Sequence, residues 1–190
     1  VMRSNGKITG VRAEADGREI VIRADTAVMA TGVWLKEFSG AGKGVPAHNI
    51  RPAKGVHIVV PWSKIRNDCT VTIPVPGRTR RATITRWGDV SVLGTTDEDY
   101  TGDLDDIYCT REEMDFLISG AESALDTKIN PEDVVGSLAG SRPLVAPPGG
   151  KTLEVKRNHE IRIDPDGLVT VVGGKLTTAR HMAEQTIDAV

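Results

Sequence analysis

Aromatic residues make up only 4% of this chain, cysteine occurs twice, and neither sign of charge predominates. Two phenylalanines, two tyrosines and three tryptophans are too few for the row of exposed rings on which single-stranded nucleic acid stacks. A net charge of -2 supplies no basic footprint for a phosphate backbone or an anionic lipid surface. A nucleic-acid partner is therefore not expected. Cys69 and Cys109 stand far apart with no C-x-x-C, so they read as free thiols in a reducing cytoplasm. His48, His57, His159 and His181 show neither H-x-x-x-H nor H-x-x-E-H spacing, and no metal site is expected. No apolar run approaches the ~20 residues of a membrane-spanning helix, and no signal-peptide pattern opens the chain. The G-x-G-x-x-G turn is missing, and a P-loop is excluded because Val169 and Leu176 stand where it needs Gly and Ser or Thr.

What is present is an ordinary globular composition, 39% hydrophobic and 26% charged over 190 residues. That length supports one sizeable core or two unequal lobes. The chain begins at Val1 in a strand-like region and ends at Val190 with helical periodicity still running, so it reads as a piece of a longer protein. Asn5-Gly6 and Asp16-Gly17 are turn signals around the alternating runs Lys7 to Glu14 and Arg18 to Arg23, which predicts a hairpin. Thr26 to Ala30 predicts a strand closing on Ala30-Thr31-Gly32, small residues that permit close approach of a neighbouring backbone or ligand. Residues 39–44, SGAGKG, read as a flexible connector.

Val56 to Trp62, Thr70 to Val75, Ala82 to Arg86 and Val90 to Leu93 predict short strands of a largely antiparallel sheet. Asp97 to Asp106 is acidic and reads as solvated loop carboxylates, since Tyr108 falls where a calcium loop needs its final Glu. Thr110-Arg111-Glu112-Glu113 is a capping box, with Met114, Leu117, Ile118, Ala121 and Leu125 as the buried stripe of the helix behind it. Pro131 predicts a short helical turn, and Val134 to Leu144 returns to strand. Pro143 holds Arg142 extended. Residues 147–150 read as a loop, and Glu160 to Ile163, Asp164 to Gly167 and Leu168 to Val172 as strand, turn, strand. The fold class expected is α+β, with an antiparallel sheet, flanking helices and incomplete pieces of an α/β domain.

The chain is organised around Val169 to Val190. Val169, Val171 and Val172 predict a buried strand, Gly173 and Gly174 a sharp turn, and the residues beyond a helix. Leu176, Ala179, Ala183, Thr186, Ile187 and Val190 recur at helical spacing and are expected to face inward, with Arg180, Glu184 and Asp188 outward. A helix starting at a glycine turn presents unpaired N–H groups and the positive end of its dipole. Lys175, Thr177 and Thr178 add an ammonium and two hydroxyls, so the element suits an anionic or electron-rich group. The same residues also describe a capped helix with a solvated lysine.

Six ordered segments resemble the flavin-dependent glycerol-3-phosphate dehydrogenases, within the wider glycine oxidase and D-amino-acid oxidase group. They are Ala30-Thr31-Gly32; Arg51-Pro52 with Lys54 to Val60; Gly94-Thr95-Thr96-Asp97 through Asp99-Tyr100; Ala139-Gly140 with Arg142-Pro143-Leu144; Arg157 with His159-Glu160; and Gly173 to Thr178. Ser141 and Lys156 depart from the family pattern, and Arg86 reads as interrupting its strand. The resemblance implies part of a catalytic region without its pyrophosphate-binding turn. Residues 1–44 and 156–190 would belong to an FAD-binding domain and residues 45–155 to a substrate domain.

The implied reaction oxidises sn-glycerol 3-phosphate to dihydroxyacetone phosphate by hydride transfer to FAD, with a quinone or other acceptor receiving the electrons. Ala30, Thr31, Gly32, Gly173, Gly174, Leu176, Thr177 and Thr178 would touch the flavin. Lys175 would reach either the flavin carbonyl or the substrate, and the resemblance puts it at the active site. Arg142 is the leading ligand for the substrate anion, because a guanidinium fork matches a phosphate. Arg157 is a second candidate, and Thr95 and Thr96 are either turn hydroxyls or pocket lining. His57 lies in an apolar run, where a lone histidine is usually a core residue; the resemblance makes it a base or an alcohol-orienting group. The implied setting is cytoplasmic, or peripheral to the inner face of a membrane through parts outside this stretch. Two alternatives stay open: a related amino-acid or amine oxidase, whose carboxylate Arg142 would hold as readily, and a noncatalytic phosphate-binding or interaction domain.

Overall fold

The computed structural model describes residues 1–38, 50–75, 77, 81–145 and 158–190, with the backbone alone at Lys36. The connector at 39–44, the loop at 147–150, Lys156 and the candidate ligand Arg157 lie outside the described residues. The chain divides into two compact units, Val1–Arg51 with Pro143–Val190, and Pro52–Arg142.

The first unit holds two three-stranded sheets. In one, β1 (Met2–Ser4), β2 (Lys7–Ala15) and β3 (Arg18–Arg23) lie in sequence order. Asn5 and Asp16 adopt positive φ ahead of Gly6 and Gly17, as Asn-Gly and Asp-Gly turns require, so the expected hairpin forms with one strand more. The second sheet contains β4 (Ala27–Met29), and the chain beyond it enters a 3-10 turn at Gly32–Trp34 and the short helix α1 (Leu35–Phe38). Ile8, Ala27 and Leu168 form one small core, and Leu35, Ile50 and Val172 another.

The second unit is a sheet backed by a helix. The strand expected from Val56 is longer: β5 runs Ile50–Pro61 and carries Pro52 within it. It leads into a helical turn, α2 (Trp62–Ile65), that sequence patterning did not signal. β6 (Val71–Ile73), β7 (Ala82–Trp87) and β8 (Val90–Gly94) follow, and β9 (Glu98–Asp99) pairs with β5. Arg86 does not interrupt its strand. It sits inside β7 opposite Ser91, with its guanidinium 4.3 Å from the Trp62 ring centre. The helix α3 (Arg111–Ala124) starts at the Thr110 capping box, and its buried residues are Leu117, Ile118, Gly120 and Ala121, with Met114 and Leu125 partly buried. After a 3-10 turn at Pro131–Asp133 comes β10 (Gly136–Val145), and the sheet order is β10-β5-β8-β7-β6.

Side chains alternate across a strand. Val56, Ile58 and Val60 of β5 therefore share one face with Leu93 and Ile84, forming the core beneath α3. Gly55 and His57 take the opposite face.

The chain then returns to the first unit. β11 (His159–Ile163) and β12 (Leu168–Gly173) form the expected strand, turn, strand, and β12 pairs in parallel with β4, giving the order β11-β12-β4. The last helix, α4 (Ala179–Asp188), departs from its expected orientation. Leu176, Ala179, Ala183, Ile187 and Val190 are exposed, while Thr186 is buried and Met182 and Ala189 are half-buried. Of the expected inward stripe only Thr186 is buried, and contacts with β11 and the glycine turn orient the helix. Gln185 bonds the His159 ring at 2.6 Å, and Met182 lies against Gly174.

Candidate functional site

In the second unit Arg142 and His57 share the sheet face opposite the core, with Thr95 bonded to the arginine. β10 and β5 are neighbours, and the Arg142 guanidinium lies directly over Gly55. A Cβ added at Gly55 would come within 2.6 Å of the Arg142 Cζ, so the glycine is what admits the arginine. One strand further on, His57 stands opposite Gly94, whose missing side chain makes room for the imidazole. Two glycines inside strands thus seat two candidate side chains on one face, as close approach within a sheet demands.

The three residues after Gly94 hold the arginine. Arg142 donates to the Thr95 hydroxyl at 2.9 Å, to the Thr96 carbonyl at 3.4 Å and to the Asp97 carboxylate at 3.3 Å. The segment is itself tied to β5. The Val56 amide donates to the Thr96 hydroxyl at 2.9 Å, and the Thr96 amide to the Val56 carbonyl at 3.3 Å. The two hydroxyls therefore act as scaffold, Thr95 holding Arg142 and Thr96 holding β5. Asp97 is not a solvated loop acid, because its side chain is only 5% exposed and it pairs with an arginine that is 29% exposed. A buried carboxylate needs such a partner, and an acidic run in sequence does not reveal it.

Burial first, and the Arg142 charge second, hold the His57 imidazole below the ordinary histidine range. Both causes favour the uncharged imidazole beside the guanidinium. On the core face of β5, Lys54 pairs with Glu113 at 2.8 Å, and Glu113 also accepts from the Thr110 amide at 2.8 Å. That ties the start of α3 to the strand carrying Gly55 and His57. Burial and the Glu113 carboxylate push the Cys109 thiol up, so it holds its proton and is no thiolate nucleophile. Among the described residues no cluster of His, Cys, Asp and Glu could hold a metal ion.

The first unit gathers the residues expected at the flavin. Leu168, Val169 and Thr170 of β12 pair in parallel with Ala27, Val28 and Met29 of β4. Ala30-Thr31-Gly32 and Gly173-Gly174 therefore both follow the carboxyl ends of neighbouring parallel strands, where open α/β sheets receive their ligands. Gly32, Gly173 and Gly174 all have positive φ, so these turns need glycine. The Thr31 hydroxyl is buried with no hydrogen-bond partner among the described residues. Lys175 is exposed, its amide donating to the Thr178 hydroxyl at 3.3 Å, and Leu176 is 92% exposed at the start of the 3-10 turn Leu176–Thr178 that leads into α4. Gly55, Gly94 and Asp97 were the residues that sequence reasoning left without a role, and glycine inside a strand pattern was the signal for the first two.

Comparison with known proteins gives a consistent result. The family model described as FAD dependent oxidoreductase matches residues 1–189. The chain is 35% identical to a glycerol-3-phosphate dehydrogenase of Mycobacterium leprae over 193 residues, covering all of this chain and 32% of that protein. It is also 35% identical to glycerol-3-phosphate dehydrogenase 2 of Mycobacterium tuberculosis over 182 residues, 95% of this chain and 30% of that one. Among solved structures, the glycerol-3-phosphate dehydrogenase from Bacillus halodurans complexed with FAD superposes with a TM-score of 0.86 at 29% identity, over 99% of this chain and 36% of that one. Glycine oxidase from Bacillus cereus shares the fold, with a TM-score of 0.61 at 20% identity over the whole of this chain and 49% of that one. The chain thus spans about a third of the length of the dehydrogenases it matches.

Proposed function

Because this chain belongs to the FAD dependent oxidoreductase family, we propose that the protein carrying it oxidises sn-glycerol 3-phosphate to dihydroxyacetone phosphate. The observation that supports this reading is the Arg142 guanidinium, held over Gly55 on the same sheet face as a neutral His57. Arg142 binds the phosphate with charge-assisted bonds from its planar fork. His57 takes the proton from the secondary hydroxyl as the C–H bond breaks, and Thr95 orients the anion beside Arg142. Bound FAD supplies the acceptor for the hydride.

On this reading Pro52–Arg142 is a substrate domain, and Val1–Arg51 with Pro143–Val190 is part of a flavin domain. The Ala30–Gly32 and Gly173–Thr178 turns meet the cofactor, where the amides opening the last helical segment favour negative charge gathering on the ring. Lys175 adds a cation at that turn, and Arg157 remains a candidate anion ligand. A quinone or another acceptor takes the electrons onward. The setting is the cytoplasm or the inner membrane surface; none of the described helices is long and apolar enough to cross a bilayer.

Arg142 also fits a carboxylate, and the glycine oxidase shares the fold, so comparing substrates is the deciding experiment. Purified full-length protein should oxidise glycerol 3-phosphate with a kcat/KM at least about a hundredfold above that for glycine, in line with differential binding of one anion at a charged fork. Preference for glycine or another amino acid would replace the dehydrogenase reading with an amino-acid oxidase.

A further inference from the structure

We propose that Asp97 is a positioning residue, whose buried carboxylate fixes the Arg142 guanidinium in the pose that receives the substrate anion. This deepens the preceding reading and rests on it. An arginine head on a long flexible stem loses rotamer freedom when it binds, and that loss is smallest when the head is already held. Three consecutive residues do the holding, each with a different acceptor: the Thr95 hydroxyl, the Thr96 carbonyl and the Asp97 carboxylate. Of these only Asp97 is charged. The loop is closed through β5, because Thr96 is bonded at both its amide and its hydroxyl to Val56, which lies between Gly55 and His57. The guanidinium is thereby fixed to the same strand segment that carries the base.

Two features separate this pair from an ion pair kept for stability alone. Arg142 lies over Gly55, on the sheet face turned away from the core beneath α3, so the pair orders a side chain that the core does not use. The carboxylate is nearly closed to solvent while the guanidinium stays 29% exposed, so the shielded partner serves the accessible one.

The test uses the full-length, flavin-loaded protein with glycerol 3-phosphate as substrate. Asp97→Ala should raise KM about tenfold or more, as loss of one partner of a shielded charge pair does, while kcat and bound flavin stay within about twofold. Added guanidinium chloride should restore activity to Arg142→Ala, and the double variant Asp97→Ala/Arg142→Ala should lose that rescue. If Asp97→Ala fails to fold, Asp97→Asn keeps an acceptor but not the charge, and its KM should rise about threefold to tenfold. An unchanged KM in a folded Asp97 variant, with KM raised in Arg142→Ala, overturns the proposal and leaves the functional reading standing. An unchanged KM in Arg142→Ala overturns that reading, and this inference with it.

Discussion

Gly55 lacks a side chain where the Arg142 guanidinium needs the volume, and Gly94 does the same for the His57 ring. Arg142, His57 and Thr95 were singled out in the sequence through the family resemblance, and the structure sets Arg142 beside both of the others. Asp97 was not singled out, since its partner is 45 residues away and only the pairing of strands brings them together. His57 shows the consequence for protons. Burial, then the Arg142 charge, depresses its affinity for a proton, so a site-resolved NMR titration should place its midpoint below the ordinary value of about 6.5. Replacing Arg142 by Gln removes the second cause and should move the midpoint back upward. The sign for stability follows: the unfolded chain binds this proton more readily, so the fold loses stability as pH falls below about 6.5. A midpoint at or above the ordinary value would show that His57 is not the shielded base of this site.

At the scale of elements, the capping box at Thr110 was readable because it is local, four residues that satisfy one another's backbone groups. Its link to the sheet was not. Lys54 looks like a strand lysine among apolar neighbours, yet its ammonium lies between Glu113 and the rings of Tyr100 and Tyr108, 5.7 Å from each ring centre. Lys54→Ala should cost about 2–4 kcal/mol, somewhat below the penalty for a fully buried pair because the Glu113 side chain is 22% exposed, read as a lowered urea midpoint with unchanged slope. A loss below about 0.5 kcal/mol would mean the pair acts like a surface salt bridge. The last helix teaches the opposite lesson. Its apolar spacing announced a helix correctly, but of the stripe expected to face inward only Thr186 is buried, and the His159–Gln185 bond and the Met182 contact with Gly174 accompany a different orientation.

At the scale of the molecule, the α+β class was legible because short alternating runs and a single strong helix leave few other layer arrangements. What the sequence could not show was the pairing by which one sheet of the first unit is completed from opposite ends of the chain, with β4 and β12 in parallel across about 140 residues of intervening chain. That pairing brings the Ala30–Gly32 and Gly173–Gly174 turns to one edge, and the second unit carries Arg142. The most direct test mixes the full-length, flavin-loaded protein anaerobically with glycerol 3-phosphate and follows loss of the oxidised flavin absorbance. The account predicts saturable bleaching in the native protein, with the half-saturating concentration raised about a hundredfold or more in Arg142→Ala, as for loss of a charge-assisted phosphate contact. No bleaching by glycerol 3-phosphate, or the same concentration dependence in both proteins, would contradict it.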